Sequence, residues 1–202
     1  VVESGTQPPD TRARILIAAC EMIGEDPASS LSVRAVAARA GVSMGSLRHH
    51  FPTQRALHDA VMQTIYSVVT SDEEIIHDRS LPARDRLVRC LRQILAPEVG
   101  EPARRAWVKV FDAYIVSEPT AEARRTYKAM TNEGDRHLRH WLTVLAQEGA
   151  LRDEDIDTHV HFLGTVCTGL SIVRALPADD SILHRETETL YAAVDAVLHS
   201  AK

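Results

Sequence analysis

The stretch from Ser32 to His50 constrains this chain more than any other, because two short helical runs there flank a single glycine. Val33 to Ala40 reads as one helix with Ser32 as its N-cap, and Ser43 caps a second helix that reaches about His50. Gly41 can take the left-handed backbone that ends one helix and turns the chain sharply into the next. Ala37 is small enough to let the two helices cross closely, while Val36, Val42 and Leu47 place apolar side chains at their corner. A small residue, a glycine four positions on and a leucine six beyond that is the spacing of a helix-turn-helix. An ordinary helical hairpin also uses glycine in its turn, so Ala37 and Gly41 alone leave both readings open.

The rest of the chain reads as helix too. Strand signals are nearly absent, with no Asn-Gly or Asp-Gly hairpin turn and no long alternating β-branched run. Apolar residues recur at helical spacing, as in Ile15-Ala19-Met22-Ile23, Leu87-Leu91-Ile94-Leu95 and Trp107-Phe111-Tyr114. Breakers at Pro27 to Ser30, Pro52, Pro82, Pro97 to Pro102, Pro119, Gly149 and Pro177 cut the chain into about nine helices, short ones before residue 52 and longer ones after it. The expected fold is all-α. Residues 1–10 form a flexible arm, 11–56 a three-helix helix-turn-helix domain, and 57–202 a larger helical domain.

Composition narrows the function classes. At 202 residues, 45% hydrophobic and 25% charged, the chain has ordinary globular composition and can bury a real core. It contains no run approaching the roughly 20 apolar residues of a membrane span, and Val1 to Asp10 lacks a secretory pattern. A cytoplasmic setting with no membrane partner is expected. The net charge of −5 argues at first against nucleic acid, yet residues 11–56 carry six arginines against three acids. Phosphate binding needs a local basic face rather than a basic protein.

Cys20, Cys90 and Cys167 are scattered, which suits reduced core thiols better than a disulfide frame or zinc site. His137 and His140 share a helical face and His159 and His161 lie close, but no cysteine or carboxylate set surrounds them at metal-ligand spacing. No metal and no cofactor is expected. An enzyme would have to use Asp135, His137 and His140, which no nucleophile motif, phosphate loop or HExxH accompanies. A helical adaptor whose helix-turn-helix serves protein contacts is a third reading.

The run Gly41-Val-Ser-Met-Gly-Ser-Leu-Arg-His-His-Phe-Pro-Thr-Gln-Arg-Ala-Leu57 closely resembles the recognition-helix segment of the TetR family of repressors. Ser32-Val33-Arg34 and Val36-Ala37 match the family's second helix, Arg12 to Ala19 looks like its first, and the likeness covers about residues 11–60. The Leu-Arg-His-His-Phe style is similar to the BetI-like branch. Arg48 stands where the family usually has a tyrosine that touches a phosphate, and Gln54 where a lysine usually opens the fourth helix. Arginine can still reach a phosphate or read guanine bidentately.

The resemblance implies a non-enzymatic regulator, by expectation a repressor, that binds double-stranded operator DNA. Gly45 and Ser46 keep the start of the third helix slim, so its free N–H groups can approach the backbone closely. Arg34, Met44, Ser46, Arg48 and His49 are candidates for base or phosphate contact, with Ser32, Ser43, Gly45 and Gln54 beside them. His50 and Thr53 either bond phosphates or cap the fourth helix, and His50 can equally pack against the first.

In the last helix, Leu183, Thr187, Leu190, Val194 and Val197 make one apolar stripe, and the preceding helix offers Val160, Leu163, Cys167 and Leu170 in similar register. The segment from Gly164 to Ser171 is rich in small residues that suit close helix approach. By resemblance these two helices pair with their twofold mates in a homodimer, with Leu163, Cys167, Leu170, Leu190, Val194 and Val197 at the interface. The alternative is that the stripe packs on its own subunit. A twofold dimer addresses a palindromic site with half-sites roughly 34–36 Å apart, or a multiple.

Seven of the nine aromatics lie after residue 100. Trp107, Phe111 and Tyr114 share a face at i, i+4, i+7, and Trp141 and Phe162 can face them. With Tyr66, Leu91, Val166 and Thr168 they would suit a small, largely apolar effector, although a helical core uses aromatics anyway. The family's mechanism implies that effector binding moves the helix of about residues 54–72 and respaces the recognition helices.

Overall fold

The computed structural model describes residues 10–27, 31–69, 72–95, 99–152, 155–177 and 181–199, with backbone alone at 66–69, 72 and 73. The arm expected over residues 1–10 lies outside the described residues apart from Asp10. The described residues contain no strand, and none of their helices is long and apolar enough to cross a membrane. The helices fall into two compact units.

The first unit holds the chain up to Ile65 together with Ala113–Ala129. Helix α1 (Thr11–Glu25) starts where the Asp10 carboxylate accepts the Ala13 N–H at 2.6 Å. Ser32 and Ser43 cap α2 (Val33–Ala40) and α3 (Met44–His50) through the Ala35 and Ser46 amides, at 3.1 and 3.0 Å. Thr53 caps α4 (Gln54–Val69) by accepting the Ala56 N–H at 3.0 Å. Ile15, Ala19, Leu31, Val36, Leu47, Leu57 and Val61 are wholly buried, so the four helices close on one small core. Ala113–Ala129, which joins this unit, contains a π-helical turn through Val116 and the start of α8 (Ala121–Gln147). Linear sequence gives no hint of that grouping.

The second unit is built from α5 (Asp72–His77), α6 (Ala83–Ile94), α7 (Glu101–Phe111), the later part of α8, α9 (Ile156–Ala175) and α10 (Ile182–His199). Here α9 packs on α7 and α10, and α6 on α5 and α10. Trp141, Leu87, Leu91, Leu142, Leu145, Val160, Leu163, Leu190 and Val194 lie at the centre. Each such side chain contributes about 1.5–3 kcal/mol by leaving water. Two buried arginines are paired with carboxylates: Arg174 donates through Nε and Nη2 to Glu186 at 2.5 and 2.8 Å, and Arg86 pairs with Glu148 and the Ile76 carbonyl. Ten α-helices are described where about nine are expected. The six residues of α5 are too few for a periodic pattern to register.

Two expectations are corrected here. The stripe Leu163, Cys167, Leu170, Leu190, Val194 and Val197 is between 0% and 9% exposed and packs in the protomer's own core, so it does not supply a twofold surface. Tyr114 does not continue the face of Trp107 and Phe111, because α7 ends at Phe111 and the π-helical turn from Asp112 to Val116 changes the angular step. Tyr114 packs in the first unit, whereas Trp107 and Phe111 lie in the second.

His58 on α4 is 5% exposed, and its Nε2 has no hydrogen-bond partner among the described residues. Burial pushes its pKa below the ordinary histidine value, Arg125 adds to the depression, and Glu122 and Asp59 oppose it. The folded state therefore holds His58 neutral while the unfolded chain takes up a proton near pH 6.5. This contribution to stability is complete above that pH and is lost as pH falls. Chemical denaturation from pH 7.5 to 5.5 should show the wild type losing more stability than His58→Leu. Parallel profiles would disprove the role given to His58.

Candidate nucleic-acid interface

The corner between α2 and α3 is built by backbone geometry and one arginine. Gly41 has φ 63° and ψ 40°, in the left-handed region, and the Gly41 and Val42 amides bond the Ala38 and Ala37 carbonyls at 3.2 and 3.0 Å. From α1, Arg14 Nη2 donates to the Ala40 and Gly41 carbonyls at 2.8 and 3.1 Å, satisfying the end of α2. A Cβ on Gly41 would sit 3.3 Å from that guanidinium nitrogen, so glycine is favoured there both by φ and by space. Arg39 ties α2 back to α1 through Glu25 and Glu21. Arg12 lies over the buried Phe51 ring, 5.6 Å from its centroid. Sequence spacing identifies Gly41 and the corner residues Val36, Ala37 and Leu47, but the partners of Arg12, Arg14 and Arg39 depend on how α1 crosses the pair.

With Leu47 wholly buried, the opposite side of α3 is set outward. Ser43, Met44, Gly45, Arg48 and His49 are exposed there, Arg34 is exposed on α2, and Ser32, Ser46 and His50 are half-buried. The His49 and His50 rings meet edge-on at 5.3 Å. The Met44 and Gly45 amides precede the first intrahelical hydrogen bond of α3, so they join the positive end of the helix dipole. A Cβ on Gly45 would find only Ser43 Oγ, at 3.8 Å, which is ordinary contact. The exposed face thus combines two guanidiniums, imidazoles, hydroxyls and open amides, a donor set suited to phosphate and base edges.

Of the two roles open to Thr53, the structure shows the cap: its hydroxyl accepts the Ala56 N–H at the start of α4. Gln54 is half-buried and turns inward: its Nε2 donates to Glu122 Oε1 at 2.9 Å and reaches the Leu31 carbonyl at 3.5 Å. The lysine-to-glutamine departure therefore accompanies an internal partner, Glu122, sixty-eight positions away.

The residues expected around an effector do not form one group. Leu91 and Trp141 are wholly buried core, Trp107 and Phe111 are a half-buried pair with centroids 5.5 Å apart, and Val166 is half-buried. Phe162 is 41% exposed and Thr168 is exposed on α9. The Tyr66 side chain lies outside the described residues. As for the alternative catalytic set, His137 pairs with Glu133 at 3.4 Å and His140 meets the His77 ring, with centroids 6.1 Å apart. Asp135, two positions before His137, points about 200° away around the helix. No group of three or more potential metal ligands occurs among the described residues.

Residues 15–61 match the family model of bacterial regulatory proteins, tetR family. Among solved structures, a TetR-family transcriptional regulator from Rhodococcus sp. is 23% identical with a TM-score of 0.58, the match covering 93% of this chain and 98% of that one. GusR of Salmonella enterica is 18% identical with a TM-score of 0.57, over 98% of this chain and 100% of that one. A transcriptional regulator from Pseudomonas aeruginosa is 22% identical with a TM-score of 0.55, over 96% and 92%. These likenesses are of fold. No curated protein matches the sequence significantly. The family match names no branch, and it covers α2, the Gly41 turn and α3. Through residues 15–61 the chain carries an N-terminal domain of the tetR family of bacterial regulatory proteins.

Proposed function

We propose that this regulator is a cytoplasmic repressor that binds a palindromic operator as a homodimer and leaves it when a small, largely apolar effector binds. The observation that carries the DNA half is the outward face of α3. Its apolar anchor Leu47 is wholly buried while Met44, Gly45, Arg48 and His49 project from the same short helix. Arg34 and Arg48 supply the charge, and the Met44 and Gly45 amides the phosphate-seeking helix end.

Gly45 strengthens the reading. A helical glycine costs roughly 1 kcal/mol relative to alanine, and nothing in the described residues crowds a Cβ at this site. The demand for glycine then comes from outside the protein, from a duplex that approaches the helix closely. Gly45→Ala should raise thermal stability slightly yet weaken binding to a duplex selected from a random library about tenfold or more. Unchanged DNA affinity would remove this argument.

For the dimer, the outward side of α9 replaces the buried stripe. Phe162, Val173 and Leu176 are 41%, 42% and 54% exposed, with Gly169 between them facing open space, and Leu183 in the first turn of α10 is 52% exposed. A second copy of the same helices covers such a face in a self-complementary way. Phe162→Glu with Val173→Glu should yield monomers by light scattering at micromolar concentration, and a persisting dimer would refute this surface. For the effector, the half-buried Trp107–Phe111 pair is the part of the expected set that combines aromatic surface with access.

DNA recognition itself is checked by fluorescence anisotropy on the selected duplex over a salt series. Arg34→Ala with Arg48→Ala should abolish specific binding and lower the salt slope by about 2 per protomer. Retained affinity in that double variant would sink the contact assignment.

A further inference from the structure

We infer that Gln54, Glu122 and Tyr114 form a polar clasp that positions the helix-turn-helix for operator binding without touching DNA. Its elements all belong to the first unit. The loop between α1 and α2 is gripped at both ends. On one side the Tyr114 hydroxyl donates to the Pro27 carbonyl. On the other, Gln54 Nε2 reaches the Leu31 carbonyl at 3.5 Å while donating to Glu122 Oε1 at 2.9 Å. Leu31 is wholly buried and immediately precedes Ser32, the cap of α2. Holding Pro27 and Leu31 therefore holds the entry angle of α2, and through the Gly41 corner the direction of α3.

The surroundings suit such a role. Ala123, next to Glu122, and Thr126, one turn along α8, are 1% and 2% exposed, so the start of α8 is seated in this unit's core rather than resting on its surface. The Tyr114 and Tyr127 rings lie 5.1 Å apart, which fixes the phenol that bonds Pro27. Burial also keeps the Tyr114 hydroxyl protonated and therefore a donor. A partly buried hydrogen bond is strong enough to bias a loop of few residues. Helix α8 runs from this clasp to Gln147 without a break, so any shift of its first turns reaches the α1–α2 loop directly. The glutamine at position 54 is thus a positioning residue, and the exposed Arg55 beside it carries the charge.

This inference rests on operator binding being the function, and a double-mutant cycle in the full-length protein separates the two. The probe is the duplex that the wild type selects from a random library, with Kd read by anisotropy. Gln54→Ala and Glu122→Ala should each weaken binding about fivefold, and the double variant no further, because Glu122 acts by holding Gln54 on the Leu31 carbonyl. Glu122→Gln removes the same charge but keeps an acceptor oxygen, so it should bind within about twofold of wild type. Tyr114→Phe should weaken binding by a similar factor of about five while leaving the salt slope unchanged.

A loss in Gln54→Ala with none in Glu122→Ala would mean that Gln54 meets DNA directly, and additive losses would mean that no clasp exists. Amide hydrogen exchange over residues 33–50 of the free protein gives a second reading, expected to quicken in both alanine variants and not in Glu122→Gln. If the wild type selects no duplex, the DNA-binding function fails, and exchange alone decides the clasp. Unchanged exchange in the alanine variants would then overturn it.

Discussion

The helix-turn-helix of this protein depends on a single left-handed residue. Gly41, at φ 63°, ends α2 and starts the turn into α3, and the outward face of α3 follows from the angle it sets. Such a turn leaves the carbonyls at the end of α2 without intrahelical partners. Arg14, reaching across from α1, satisfies two of them, and its position is in turn fixed by Ile15 and Ala19 in the core. The corner is thus a three-helix construction: glycine supplies the permitted backbone, arginine the hydrogen bonds, and Leu47 the apolar anchor that commits one side of α3 inward.

That arrangement explains why so short a helix can present a specific surface. Seven residues form about two turns, too few to be stable alone. The cap at Ser43, burial of Leu47 and Phe51, and the cation–π contact of Arg12 supply what intrinsic propensity does not. A rigid scaffold then leaves Arg48, His49 and the first amides of α3 free to meet a partner. The second unit follows a different logic, with a conventional apolar core around Trp141 and two buried arginines whose charge is matched by Glu186 and Glu148. Removing one member of such a pair leaves an uncompensated charge, so these pairs specify which helices meet more than they add to stability.

The recurrence of small and apolar residues on α9 and α10 is legible as a pattern and ambiguous in direction. Leu163, Cys167, Leu170, Leu190, Val194 and Val197 repeat at the spacing of a helix-pairing stripe, and they do pair helices, within one protomer. The face left outward carries Phe162, Val173 and Leu176, interrupted by Thr165 and Gly169, and so looks less regular in the linear chain. Periodicity reports that a helix has an apolar side; which of two apolar sides meets its own subunit is settled by the neighbours it packs against.

The sequence by itself determined the all-helical class, the bounds and caps of α2 and α3, the glycine turn and the outward residues of the recognition helix. Those are local properties, governed by residues within one or two turns of each other, and caps and turns are written in adjacent side chains. Tertiary structure alone decided three things. Gln54 turns to Glu122 instead of outward, Tyr114 leaves the aromatic face it shares on paper, and Ala113–Ala129 joins the helix-turn-helix unit. Each depends on contacts between residues some sixty to ninety positions apart, or on a π-helical turn that shifts the phase of everything after it. Local spacing carries no information about such distant partners.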